Sequence, residues 1–446
     1  MGRAALAIAS FFRLAFWPLS AAILVVLLLQ PVYLLSLVAL KFIAPADRIA
    51  AHVKAGFEQG VLSPDGAPKP LIWRGGEQLT ECISLGVGLN PAATAWQAAI
   101  VESYPTIENT HACEGLRRAV TGAPVNWQPY FRYWHGYRVV IAPLTALFPL
   151  WLLKAINVLA VAGGCFVFWR TLRARCGETA ATIFLLTFLC LSDVLFVWRT
   201  TTHSLSLCYI LAGASLLAAG LRRNWTPASL IVLSAALGSG FNFIDFLVNP
   251  PLMPMLIAFF VLLSERRDAG LLALAAVLAW FGGYAETWLA KWAIAYFTAP
   301  NPAAVVSDII GTIEIRTVGA FNGVYLFPLA ATLRTFLRAL SRVGVIVPLL
   351  IALALARHAA AGAPIAWRRA LWLWTPALVT VLWFEALSSH TQYHLTVSAR
   401  SAAAALALML AALVIAMPRR PSIRELWGEL DSLRAKIPLL VKSSKS

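Results

Sequence analysis

The sequence predicts an all-α, polytopic transmembrane bundle of about ten spans, with both termini in the cytoplasm and a large first extracytoplasmic loop carrying short helices. Three observations carry this prediction. Of the 446 residues, 60% are hydrophobic and only 13% charged, which is too little polar surface to cover a soluble domain. The apolar residues fall in blocks of roughly the 20 residues that cross a bilayer core. The basic residues fall in alternate connections between those blocks.

In chain order, Arg3 and Arg13 precede a first span at roughly Pro18 to Leu40. Its apolar stretch is too long for a cleaved signal peptide and no small-residue cleavage pattern follows, so it is expected to be retained. The segment Ala44 to Tyr137 mixes Pro, Gly, acids and aromatics without a spanning run. Apolar residues resume from Val139 to Trp169, where Pro143 and Pro149 predict an interfacial lead-in before one span. Further blocks are Thr179–Trp198, Leu205–Leu221, Ala228–Phe246, Leu252–Leu263 and Gly270–Leu289. A second long non-spanning segment, Lys291 to Arg342, leads to Val343–Ala356, Ala370–Leu387 and Ser401–Met417.

With the N-terminus inside, the connections Arg170–Arg175, Arg222–Arg223, Arg266–Arg267, Arg357–Arg369 and the tail from Arg419 all fall in the cytoplasm, and each carries at least two arginines. The net charge of +16 therefore reads as this loop bias, and no nucleic-acid partner is expected. One membrane domain, residues 1–421, includes extracytoplasmic loops 43–138 and 291–342. The tail 422–446 has the helical spacing of an amphipathic segment at the bilayer surface. Four of the six cysteines sit in or beside apolar helices. Cys82 and Cys113 share the first loop, where they either pair or remain free thiols.

Polar residues that interrupt the pattern gather on the outer side. Charges at membrane depth are costly and mark function or a cavity. In GGEQLTECI, Glu77 and Glu81 stand four residues apart, which on a helix puts both carboxylates on one face. Such a pair supplies a general base and a second group that orients an acceptor or binds a cation, although an ordinary solvated loop helix has the same spacing. The stretch Asn126–Val140 sets Arg132, His135 and Arg138 among tyrosines and a tryptophan. Arginine's planar donors suit phosphate, and the rings suit a bilayer interface. Arg199 and His203 stand in RTTTHS, at the outer end of two spans. Asn242 and Asp245 interrupt a helix end, and a buried Asp245 is expected to take an arginine as partner. Glu286, Lys291 and Arg316 flank the second large loop, and SSHTQYHLTVSAR supplies His390, His394 and Arg400. Two histidines four apart ligate zinc only with a third ligand, so hydrogen bonding to phosphate or sugar is the expected role and no metal site is assigned. No P-loop, dinucleotide glycine motif or serine-nucleophile elbow is present.

The pieces TECI, FRYWHGYRVVIAPL, FNFIDFLVNPPL, GYAETWLAKW and SSHTQYHLTVSAR, in this order, resemble polytopic membrane proteins found with bacterial cell-envelope polysaccharide genes. The overall design is similar to the GT-C glycosyltransferase superfamily, including its arabinofuranosyltransferase-like branch. That resemblance implies a catalytic acid in the first loop, matched by Glu81 or Glu77, and a phosphate-binding shell matched by the arginines and histidines. Glu stands where Asp is usual, Ser389 replaces an Asn and no compact acid-x-acid pair occurs, so the base and any divalent cation stay open.

The expected activity is transfer of a sugar from a polyprenyl-phosphate donor to a glycan, lipid or protein acceptor outside a bacterial inner membrane. Glu81 would take the acceptor proton, with inversion at the anomeric carbon. Arg132, Arg138, Arg199, Lys291, Arg316 or Arg400 would hold the phosphate. The alternative is a transporter or flippase of a lipid-linked saccharide, which would need polar groups at the midplane or on both sides.

Overall fold

The computed structural model of the chain describes residues 3–66, 78–299, 301–318, 329–362, 364–418, 420–426 and 428. Helix makes up 77% of it. The chain opens with α1 (Arg3–Ile43), followed by α2 (Ala46–Glu58), α3 (Leu79–Gly86), α4 (Ala95–Ile100), β1 (Tyr104–Thr106), α5 (Ala112–Val120) and β2 (Asn126–Gln128). Next come α6 (Arg138–Leu147), α7 (Leu150–Cys176), α8 (Glu178–Leu191), α9 (Thr201–Arg222), α10 (Pro227–Ile244), α11 (Leu252–Leu262) and α12 (Ala269–Thr298). The last third holds α13 (Pro302–Thr317), α14 (Ala330–Leu340), α15 (Ile346–Ala360), α16 (Trp367–Trp374), α17 (Ala377–Ala386), α18 (Ser388–Tyr393) and α19 (Leu395–Ile415). Among the described residues the only sheet is the antiparallel ribbon β1–β2, with Pro105 opposite Trp127.

Among the described residues, seven helices are long and apolar enough to cross a membrane: α1, α7, α9, α10, α12, the Val343–Ala360 segment ending in α15, and α19. Three other blocks expected to span are shorter or broken. α8 ends at Leu191 after 14 residues, where Ser192 leaves helical geometry and a 3-10 turn, Val194–Arg199, takes over. α11 has 11 residues, starts after Pro250 and Pro251, and is buried along its whole length. The Ala370–Leu387 block is divided at Thr375–Pro376 into α16 and α17, since proline removes a helical hydrogen bond. By contrast, the break between α6 and α7 falls at Phe148–Pro149, as Pro149 predicted.

Small residues set how closely the bundle packs. α10 and α12 approach through Gly238 and Gly283, each lying against the other helix's backbone, at the Trp280 and Ala235 carbonyls respectively. A side chain at either position would push the two helices apart. The basic connections meet one another at one end of the bundle. Arg420 donates to the carbonyl of Cys176 at 3.3 Å, Arg266 to that of Trp225 at 3.4 Å, and Arg369 pairs with Glu265 at 2.7 Å.

The first loop forms a compact unit of α2 to α6 and the ribbon. A disulfide between Cys82 and Cys113 ties α3 to α5, with the Cα atoms 5.0 Å apart. Buried charge fastens the unit to the bundle. Lys291 of α12, fully buried, donates to Glu102 Oε2 at 2.6 Å and to the carbonyls of Ala99 and Ile100. Arg138 reaches the other oxygen of Glu102 at 3.4 Å and the Ala98 carbonyl at 2.8 Å. Trp134 adds an indole N–H to the Thr287 carbonyl at 2.7 Å.

Closing a 31-residue separation, the disulfide is worth about 3–4 kcal/mol by loop-closure entropy. The Cys82→Ser/Cys113→Ser variant should therefore melt at lower temperature in detergent than the parent protein. Equal melting temperatures would remove the bridge from the fold's stability.

Candidate functional site

At the end of the bundle away from the basic connections, two connected chambers open between the loop unit and α9, α13, α14, α18 and α19. The first, of about 430 Å³, is walled by Tyr130, Arg132, Tyr133, Arg316, His390 and the turn Phe246–Val248. The second, of about 750 Å³, is walled by Asp193, Arg199, Arg338, Arg342 and Arg400. Thr80, His203, Tyr393 and His394 line both and form the junction.

In the first chamber, Arg316 at the end of α13 is only 7% exposed. One of its terminal nitrogens bonds the Tyr133 hydroxyl, and the guanidinium lies 5.1 Å from the Tyr133 ring and 5.3 Å from the Trp288 ring. Its Nη1 is buried without a partner, and no carboxylate stands within ion-pair distance among the described residues. Arg132 pairs with Asp308 at 3.1 Å, while its buried Nε has no partner. An unpaired buried guanidinium is a costly arrangement that an anion would relieve.

The turn that forms the floor of this chamber is held by Asp245. Its Oδ1 accepts the Ser206 hydroxyl and its Oδ2 the Val248 N–H, both at 2.8 Å. These bonds stabilise Leu247 at φ 65°, a conformation a branched residue adopts only when its surroundings impose it. The partner of Asp245 is thus a hydroxyl and backbone amides, and not the arginine expected. Burial pushes its carboxyl up to about 7.

The rings of His390, in α18, and His394, just before α19, lie 4.6 Å apart. Burial, then the neighbouring imidazole and Arg316, hold His390 well below the usual histidine range. Burial and Arg316 lower His394 to about 4. Both imidazoles are neutral at pH 7 and can accept hydrogen bonds or a proton.

In the second chamber, Arg400 makes a bidentate pair with Asp193 at 2.5 and 2.9 Å, and both its terminal nitrogens lie 3.4 Å from His203 Nδ1. Burial alone would raise Asp193, but Arg400, with Arg342 and His203 behind it, holds the carboxyl below its usual range. Arg199 stacks over Phe196 and Trp198 at 5.3 and 5.6 Å. Arg338 reaches the Thr396 hydroxyl at 3.4 Å, and Arg342 has a buried Nε without a partner.

The chambers thus bring together Arg132, Arg199, His203, Arg316, His390, His394 and Arg400 from the residues singled out in the sequence. The others lie elsewhere. Arg138 and Lys291 are consumed by Glu102. His135, at φ 52°, donates from Nε2 to the Tyr130 carbonyl at 2.9 Å and meets the Tyr137 hydroxyl through Nδ1. Asn242 bonds the Tyr284 hydroxyl. Glu77 falls outside the described residues.

Glu81 is fully buried and lines neither chamber. Its Oε1 takes the Lys154 ammonium and the Thr201 hydroxyl, the latter at 2.8 Å, and its Oε2 takes the Thr201 N–H at 2.7 Å. Lys154 also donates to the Arg199 carbonyl at 2.7 Å. With both oxygens engaged, this carboxylate anchors the first turn of α9 and, through Lys154, the Arg199 backbone.

Lys154, Asp193, Arg338 and Arg342 escaped the sequence reading. A lysine inside the apolar WLLKAINV and an aspartate in LCLSDVLF are visible as interruptions, and Arg334, Arg338 and Arg342 recur every fourth residue along one helical face. As for metals, among the described residues no group of three or more His, Cys, Asp or Glu is placed to hold an ion. The cleft histidines stand beside Arg316 and Arg400, whose charge opposes a cation. Comparison with family models, curated proteins and solved structures finds no match for this chain.

Removing either member of the Glu81–Lys154 pair strands the other buried charge, at a cost of about 3–5 kcal/mol. Glu81→Gln and Lys154→Met should each lower the melting temperature, and the double variant should lose less than the sum of the two. Strict additivity would mean the pair is not coupled. For the histidines the sign is that of a lowered pKa: the unfolded chain binds protons that the folded one refuses. Their stabilisation is complete above about pH 6.5 and is lost as pH falls toward the folded value of about 4. Melting temperature should therefore drop more steeply from pH 7 to 4.5 in the parent than in His390→Gln/His394→Gln, and parallel profiles would contradict the assignment.

Proposed function

We propose that this chain is a membrane glycosyltransferase of the GT-C type that uses a polyprenyl-phosphate sugar donor. The observation that carries the reading is Arg316, a buried guanidinium with a free donor in a chamber wall and no acid among the described residues to neutralise it. A lipid monophosphate supplies the missing anion, and Arg132 adds a second donor beside it. In this reading the chain crosses a bacterial inner membrane about ten times, with the shorter α8 and α11 and the α16–α17 pair completing the crossings. The basic end faces the cytoplasm and the cleft faces outward, in keeping with the arginine distribution and with a disulfide in the loop unit.

The acceptor hydroxyl attacks the anomeric carbon at the junction as the bond from that carbon to the phosphate oxygen breaks. The lipid phosphate leaves with the bonding electron pair, and Arg316 and Arg132 stabilise the charge it gains. His394, neutral and at the junction, receives the acceptor proton. Glu77, two positions before Leu79 in the sequence, is the carboxylate alternative for that role. Glu81 holds Arg199 and α9 in place for the reaction.

The test uses the purified full-length chain in nanodiscs with radiolabelled polyprenyl-phosphate sugars and glycan acceptors. Arg316→Gln should lower kcat/KM roughly 10²- to 10³-fold while leaving the melting temperature close to that of the parent. Comparing His394→Asn with Glu77→Gln identifies the base. Undiminished transfer by Arg316→Gln would sink the phosphate assignment, and translocation across liposomes without transfer would make the chain a flippase.

A further inference from the structure

The second chamber holds more positive charge than one lipid phosphate requires. Arg199, Arg338, Arg342 and Arg400 face it, and among the described residues Asp193 is the one acid in its wall. Asp193 is spent on Arg400 in a bidentate pair. The remaining three guanidiniums have no carboxylate within ion-pair distance among the described residues, and the buried Nε of Arg342 has no partner at all. Meanwhile the first chamber has its own unneutralised cation in Arg316. Two separate cationic surpluses therefore flank one junction.

We propose that the second chamber is the site of an anionic co-substrate: a saccharide acceptor bearing a phosphate or carboxylate group, held by Arg199, Arg338 and Arg342. This rests on the glycosyltransferase reading, and it adds the charge class of the acceptor. The space, about 750 Å³, lies within the range that encloses small organic ligands. The stacked rings of Phe196 and Trp198 hold Arg199 so that its planar donors are presented ready-oriented. The shared residues His203, His394, Tyr393 and Thr80 then stand where an acceptor hydroxyl in one chamber meets a donor sugar in the other.

The experiment measures binding of three probes to the full chain in phosphatidylcholine nanodiscs: undecaprenyl phosphate, glucose 6-phosphate and glucuronate. Glucose 6-phosphate or glucuronate should bind saturably in the presence of saturating undecaprenyl phosphate. Arg199→Gln/Arg342→Gln should weaken the soluble probe about tenfold or more, equivalent to roughly 1.4 kcal/mol, and leave undecaprenyl phosphate within about twofold. Arg316→Gln should do the reverse. Competition between the lipid and soluble probes, as a single diphosphate spanning both chambers would give, overturns the proposal. So does the absence of saturable binding by both soluble probes, or equal losses for all probes in one variant. Failure of the two readings separates cleanly. Simultaneous binding without sugar transfer preserves the second site and removes the enzyme, whereas transfer to a neutral acceptor unaffected by Arg199→Gln/Arg342→Gln preserves the enzyme and removes the anionic acceptor.

Discussion

The Glu81–Lys154 pair is the contact on which the cleft depends. An ammonium inside an apolar helix is tolerable only with a counter-charge and further hydrogen bonds. Lys154 finds these in Glu81, the Thr201 hydroxyl and the Arg199 carbonyl. Through that one cluster the loop unit, α7 and the start of α9 share a fixed geometry. The Glu102–Lys291–Arg138 cluster repeats the solution between the loop and α12. The loop is therefore part of the bundle's electrostatic core, and the cleft between them has one wall from each.

Charge in the cleft follows a different rule. The two anchoring clusters are neutralised by acids, whereas both chambers carry arginines that no acid among the described residues neutralises. In a medium of low polarity, unneutralised cations are strongly disfavoured unless an anion visits. Cations that anchor the fold and cations left facing a chamber thus differ in what surrounds them, although their residue types are the same. Arg138 and Arg316 are both nearly buried arginines beside tyrosines, yet one has Glu102 and the other has an open chamber.

This distinction explains what the sequence could and could not reveal. Helices and their side of the bundle follow from hydrophobic runs and arginine placement, which are local properties, so α1, α7, α9, α10, α12 and α19 were legible. Prolines marked the α6–α7 break, and the apolar run Leu252–Leu263 marked α11, whose 11 buried residues are enclosed by other helices. Arg132, Arg316, His390 and His394 were recognisable as polar groups that interrupt the apolar pattern. Whether each met an acid was not, since Glu102 lies 36 residues before Arg138 and 189 before Lys291. Glu81 stood out through its spacing from Glu77, whereas its contact with Lys154, 73 positions later, lies beyond any local pattern.

Those separations also bear on how the molecule comes together. The partners of Glu81 lie 73 and 120 positions further along the chain. A chain made from its N-terminus forward therefore carries α3 with its acid unmatched until α7 brings Lys154 and without its Thr201 hydrogen bonds until α9 follows, and long-range closures of this kind are slow. Cys82 is the next residue after Glu81, and its bond to Cys113 closes within a much shorter stretch. The disulfide thus keeps α3 and α5 assembled through the interval in which the ionic latch has no counterpart, and its contribution belongs to the order of assembly as much as to the finished protein.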